Sequence, residues 1–323
     1  MPLLDDPAGS ALLARIAGLR TKIALDLGVV LTGVRVRDDL RLPPRAYAIR
    51  VRDRVAARGE LHPDRALAIG PRPALSQLSG DWSRDPVSGN DARWIAAGSE
   101  PNAGSTHGTI VVDPIGVLAS ALGNVVRAHA HALLGRQEVQ SLLDHVRRTY
   151  PAAIKGVVPE LASLGLVQRV LQHLVRESVS IRDIVAVLET IADEAEATKD
   201  ASLIAEAARR RLAPAICSAI AHDDGTIHAI ALAPELEHDL TDALVATERG
   251  PFIGVEPETA ERLRAALAGA VTRRGGCAIL VCGRQLRSAL ARFAEIANVR
   301  ATVLALDEVA PGYTLVIEEA LAA

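Results

Sequence analysis

The sequence predicts a helix-rich α+β fold divided into several subdomains, and three observations carry that prediction. Helical periodicity runs almost unbroken from the short strand TIVVD at 109–113 to about Ala221. Period-two alternation in PPRAYAIRVRDRVAARGEL marks a hairpin nearer the N-terminus. From Thr226 onward, short apolar strands alternate with helices. A chain of 323 residues exceeds one small core and implies two to four compact units.

Composition narrows the function classes. A net charge of −3 gives no electrostatic case for nucleic acid or an anionic membrane. Aromatics are 2% of residues, too few for a base-stacking platform. Cys217, Cys277 and Cys282 are an odd number, which argues against a disulfide framework and for a reducing compartment. MPLLDDPAGS lacks a signal pattern, and no apolar run reaches the roughly 18 residues of a membrane helix. The expectation is a soluble cytoplasmic chain.

The elements follow in order. Ser10 is placed to cap a helix with apolar positions Leu12, Leu13, Ile16, Leu19, Ile23 and Leu27, and Gly28 to end it. VLTGVRVRDD alternates as a strand does, and the hairpin after it carries Tyr47, Ile49 and Val51 on one face. Residues 66–109 are rich in Gly, Pro, Ser and Asp around Trp82 and Trp94. They read as a long ordered loop held by the tryptophans or as a mobile surface. Within the helical stretch, SVSIRDIVAVLETIAD (178–193) predicts a helix with a capping box between Ser180 and Asp183. Its buried stripe is Ile181, Ile184, Val185, Leu188, Ile191 and Ala192. TIHAIAL after an Asp-Asp-Gly turn, then CAILVC, ATVLAL and YTLVIEEAL, predict strands, the last three forming a small α/β unit.

Candidate chemistry is sparse. His129 and His131 are two apart on a helix, so they point in different directions and do not share a metal. His145 and His173 lack a zinc-like ligand spacing. Cys277 and Cys282 bracket AILV and read as small buried hydrophobes of a strand. There is no P-loop, no G-x-G-x-x-G after a strand and no G-x-S-x-G. Glu189, Asp193, Glu194 and Glu196 read as a solvated helix face; Arg209, Arg210 and Arg211 point in three directions and read as solvated charge, with a protein interface as the alternative. No catalytic residue, cofactor or metal site is expected; the inventory favours binding or assembly over enzymology.

GRQEVQ, LQHLVRESVSIRD and LPPRAY are long signals that, with TERG, run through nearly the whole chain. Together they resemble the type III secretion export-gate (FHIPEP) family, most closely its flagellar branch. The resemblance implies four subdomains. The first, α+β, spans 1–108 plus 160–179, with an inserted second at 109–159. A helical third spans 180–255 and an α/β fourth spans 256–323. It implies a cytoplasmic docking platform for flagellar export chaperones carrying late substrates. The export ATPase complex and other gate components are implied partners, and nine copies form a ring. The implied location is the cytoplasmic side of a bacterial inner membrane, with anchoring through an N-terminal region outside this chain. Alternative readings are a virulence-type (injectisome) gate, or a ring component without direct chaperone binding.

Carried onto these positions, the resemblance places a chaperone cleft at His131, Ala132, Leu134, Leu164, Gly165 and Leu166. Arg136 and Gln137 are implied to be structural, and Arg182 with Asp183 to belong to a contact with a neighbouring subdomain. Ala132 stands where relatives commonly have a carboxylate, and Gly165 or Leu166 where some have Thr, so a less polar pocket is expected. Leu134 and Leu164 are expected to supply its apolar area to an amphipathic segment.

Overall fold

The alternation in PRAYAIRVRDRVAARGEL closes as an antiparallel hairpin of β1 (Ala46–Val51) and β2 (Arg54–Glu60). Arg52 and Asp53 turn it with positive φ angles of 47° and 63°, a backbone that matches the twist of the strands. The structure is a computed structural model and describes residues 8–31, 33–98, 108–247 and 250–322. It divides into two compact units, Met1–Leu133 and Leu134–Ala323.

In the first unit, α1 (Ala8–Leu27) begins before Ser10, which therefore lies inside the helix and is not its cap. Leu12, Ile16, Ile23 and Leu27 are buried, while Leu13 faces solvent. Gly28 ends the helix with φ 74°, the left-handed stop that glycine adopts without strain. VLTGVRVRDD forms no strand among the described residues. Val30 is 63% exposed and Val36 41%; without a partner strand, the alternation has no ladder to fix it.

The stretch expected to be loop supplies three of a sheet's four strands, and the fourth is the strand expected at 109–113. β3 (Arg65–Ile69), β4 (Asp81–Arg84), β5 (Asp91–Ala96) and β6 (Ile110–Val112) pair antiparallel in the order β4-β5-β3-β6. Residues 99–107, the rest of that expectation, lie outside the described residues. The short helix α2 (Arg72–Ser76) sends Leu75 onto one face of the sheet, against Ala66, Ala68 and Ile95. The other face buries Leu67 and Trp94 with Tyr47 of the hairpin and Val117 and Ala121 of α3 (Pro114–Ala128). Asp113 caps α3 by accepting the Gly116 N–H at 3.1 Å. It also receives Arg15 of α1 at 2.9 Å. A one-turn helix, α4 (Ala130–Leu133), closes the unit. The expected boundary at 108/109 therefore cuts a sheet, because β6 pairs with β3.

The second unit opens with helices, as the periodicity requires. They are α5 (Arg136–Thr149), α6 (Pro151–Ile154), α7 (Leu164–Arg176), α8 (Ile184–Ala195), α9 (Ala201–Arg211) and α10 (Ala213–Ile220). β7 (Thr226–Leu232) follows a turn in which Gly225 takes φ 81°. Then come α11 (Pro234–Asp242), the two-residue pair β8 (Leu244–Val245) and β9 (Phe252–Ile253), and α12 (Pro257–Arg273). The remainder is β10 (Ala278–Cys282), α13 (Arg284–Ile296), β11 (Ala301–Ala305), a 3-10 turn at Leu306–Glu308 and β12 (Thr314–Leu321). The sheet is parallel throughout, in the order β11-β10-β7-β12. Its core gathers Ile230, Leu263, Leu267, Leu280, Leu286 and Leu290. The expected boundary at 255/256 cuts this sheet as well, since β7 is one of its two inner strands. Cys282 is buried in β10, but Cys277 is exposed and precedes the strand, contrary to the expectation.

Candidate partner-docking site

The segment GRQE starts α5, and its parts have separate duties. Glu138 turns back so that its carboxylate accepts the Gly135 N–H at 3.0 Å, satisfying a donor at the helix start. Arg136 and Gln137 are exposed. Leu134, just ahead, is fully buried at 0% exposure. Its carbonyl accepts two side-chain amides of α7, from Gln168 at 3.1 Å and Gln172 at 2.9 Å. These glutamines sit four residues apart and so share one helix face. Leu134 therefore belongs to the core and adds no area to a surface groove, and Leu166, also buried, adds none.

What reaches solvent is the first turn of α7. Ser163 caps it by accepting the Leu166 N–H at 3.2 Å, leaving Leu164 and Gly165 half-buried. A Cβ on Gly165 would meet Arg169 Nη1 at 3.7 Å, Ser163 Oγ at 3.9 Å and Arg136 Nη2 at 4.0 Å. Two guanidiniums thus stand around a small apolar spot. This basic frame was not part of the expectation of a less polar pocket. His131 and Ala132 are half-buried on α4, in the first unit.

The Ser180–Asp183 capping box does not form. Asp183 is itself the cap of α8, its Oδ1 accepting the Ala186 N–H at 3.0 Å. The helix starts at Ile184, and the Ser180 hydroxyl is buried without a hydrogen-bond partner. Val179 and Ile181, which precede the helix, are buried. Within the helix, Val187 and Ala195 join Leu188 and Ile191 in the buried set. Arg182 is exposed. A second concavity, about 480 Å³, lies beside α8, with Tyr150, Val157, Val185 and Ala192 as its apolar surface and Glu189 and Asp193 at its rim.

The sequence reading missed a buried ionic cluster. Arg209 is not solvated: it is 2% exposed, and Arg287 of α13 is 0% exposed. Arg287 donates to Glu206 of α9 at 2.7 Å and to Glu177, at the C-terminal end of α7, at 3.1 Å. Arg209 donates to Glu177 at 3.0 Å and to both oxygens of Glu308, at 2.6 and 3.1 Å. Burial alone would raise the Glu177 carboxyl, yet the Arg287 and Arg209 guanidiniums hold it below its ordinary value. Burial wins at Glu206 and pushes that carboxyl up, against Arg287. The Cys282 thiol is pushed up to about 12, chiefly by burial, which keeps it protonated and a poor nucleophile. Among the described residues no group of three or more His, Cys, Asp or Glu is arranged to hold a metal ion.

The sequence profile described as the FHIPEP family matches residues 1–314. The chain belongs to the FHIPEP family. It is 34% identical over 290 residues to the flagellar biosynthesis protein FlhA of Bacillus subtilis, covering 89% of this chain and 43% of that protein. The chain thus spans less than half the length of that FHIPEP relative. In fold it is similar to the Chlamydia pneumoniae CdsV protein, with a TM-score of 0.83, 21% identity and coverage of 99% of this chain and 90% of the other. It is also similar to EPEC SctV-C, a structure described as nonameric, with a TM-score of 0.78, 20% identity and coverage of 97% and 94%. No helix among the described residues is long and apolar enough to cross a membrane.

Proposed function

We propose that this chain is the cytoplasmic docking part of a flagellar type III export gate, receiving export chaperones with late substrates and passing the substrates on in order. The likeness to flagellar FlhA over 89% of the chain carries this reading. The reading asks for no bond chemistry.

The geometry supports one face for docking. Leu164 and Gly165 offer an apolar spot at the start of α7, framed by Arg136 and Arg169. An amphipathic chaperone helix with an apolar anchor flanked by carboxylates fits that chemistry. The proposed face rests on residues of the second unit alone, and His131 and Ala132 of α4 belong to the first.

Calorimetric titration with a flagellar chaperone, empty and substrate-loaded, tests this. Leu164→Asp should weaken binding by roughly tenfold or more, the effect of removing an anchor worth over a kilocalorie, with circular dichroism unchanged. Leu134→Asp should instead unfold the second unit, because it buries a carboxylate in the core. Full-strength binding by a folded Leu164→Asp protein would move the site elsewhere. A second reading, ring assembly, rests on the nonameric form of EPEC SctV-C. Self-association measured by sedimentation, with no heat from any chaperone, would favour it.

A further inference from the structure

β4 ends its sheet, and no strand among the described residues pairs with its outer edge. The Asp85 N–H bonds the Asn90 carbonyl at 3.0 Å and closes the β4–β5 hairpin. Bonded and non-bonded pairs alternate along an antiparallel ladder. Counting back from Asp85, Ser83 and Asp81 take the inward positions, and Trp82 and Arg84 turn their backbone N–H and C=O outward. Proteins usually blunt such an edge with a projecting charge. Here Arg84 folds back and donates to the Gly89 carbonyl of its own hairpin at 3.1 Å, which leaves the edge open.

The same edge displays an aromatic. Trp82 is 46% exposed, whereas Trp94, the other tryptophan, is 4% exposed. Arg72 and Arg93 place their guanidinium carbons 5.3 and 5.0 Å from the Trp82 ring centre, within cation–π range. Arg93 is fixed there by bonds to the Gly80 carbonyl at 2.8 Å and the Leu75 carbonyl at 3.1 Å. Gly80 makes this possible: any Cβ at that position would stand 2.0 Å from the Trp94 carbonyl. A cleft of about 390 Å³ bordered by Ile69, Pro71, Arg72 and Asn90 lies on the same unit.

Charge selects the occupant. Asp81 is engaged by Arg65, Asp91 lies 3.6 Å from Arg72, and Asp85 caps its own turn at Val87 and Ser88. Arg84 and Arg93 donate to neutral carbonyls, and among the described residues neither has an ion-pair partner. The edge therefore carries two positive charges that its own carboxylates do not pair.

We propose that β4 receives an extended acidic segment of a partner protein as an added strand, with Trp82 as its apolar anchor and Arg84 and Arg93 meeting its carboxylates. Main-chain bonds to Trp82 and Arg84 supply affinity, and alternate side chains supply selectivity. This surface is separate from the α7 site and stands whether or not chaperones bind there.

The probe is a synthetic decapeptide of alternating Glu and Val, with a Lys-for-Glu counterpart, titrated into the whole chain while tryptophan fluorescence is read. Because Trp94 is buried, the signal reports Trp82. A saturable blue shift with the Glu peptide and none with the Lys peptide is expected. Arg84→Pro, which removes an outward N–H without touching the β4–β5 bonds, should bind at least roughly tenfold more weakly than Arg84→Ala. In the unsubstituted protein, the Trp82 and Arg84 amides should gain hydrogen-exchange protection on peptide addition, a readout independent of any variant's folding. Equal response to both peptides, no protection of those amides, or no shift up to millimolar peptide would each overturn the proposal. So would a shift that tracks protein concentration without peptide, which would mark a second copy of the chain on this edge.

Discussion

Arg287 sits at 0% exposure and still carries its charge, because Glu177 and Glu206 grip it from two helices. The cluster holds two guanidiniums, Arg209 and Arg287, against three carboxylates, Glu177, Glu206 and Glu308. Removing one partner strands the rest in a low-dielectric interior. Arg287→Met should therefore cost about 3–5 kcal/mol in urea unfolding. The carboxylates also give a pH signature. Glu177, lowered by the guanidiniums against burial, contributes stability that is present above the ordinary carboxylate value of 4.5 and lost as pH falls through its lowered value. Glu206, raised by burial, contributes stability that is full below 4.5 and lost as pH rises through its raised value. Between neutrality and pH 4.5, acidification should thus favour the unsubstituted protein over Glu206→Gln. Thermal melts across that range check this, and a melting-temperature difference, unsubstituted minus Glu206→Gln, that falls on acidification would contradict it. Little of the cluster was legible in the sequence. Arg209 stands in a run of three arginines that reads as solvent-facing, and its partner Glu308 is 99 residues away.

At the scale of elements, long periodic segments were readable and short irregular ones were not. The hairpin, α7 and the C-terminal strands followed from spacing alone. Of the β3–β6 sheet only β6, expected at 109–113, did, since β3, β4 and β5 lie in a stretch rich in Gly, Pro, Ser and Asp, a texture shared with loops. VLTGVRVRDD had the alternation but no partner strand among the described residues. The start of α8 was displaced by one turn, because Ser180 and Asp183 satisfy the capping spacing while Ile181 is drawn into the core. Asp183→Ala should accordingly cost about 1 kcal/mol. Ser180→Ala should cost nothing or stabilise, since its buried hydroxyl has no partner. Chemical denaturation distinguishes the two, and a larger loss for Ser180→Ala would restore the capping box. For the proposed docking site, the family signature points to the first turn of α7, and only side-chain burial separates Leu164 from the core residues Leu134 and Leu166.

At the scale of the molecule, the helix-rich α+β character was evident from the order of periodicities, but the division of the chain was not. Strand partners distant in sequence decide which segments belong together, and no local pattern records them. A fragment of residues 134–323 should fold cooperatively by itself. One ending at residue 255 should not, because β7 would lack β10 and β12. Circular dichroism melts of the two fragments check this.

The parallel order β11-β10-β7-β12 has a consequence for how the chain is made. β7 is synthesised first of the four, yet both its neighbours follow it, after α12 and after β11 respectively. Until they emerge, Ile227, Ala229, Ile230 and Leu232, all buried in the finished sheet, wait on a nascent chain with two unpaired edges. Such long-range pairing is slow and exposes sticky intermediates, so yield during biosynthesis hinges on how long that strand stands alone.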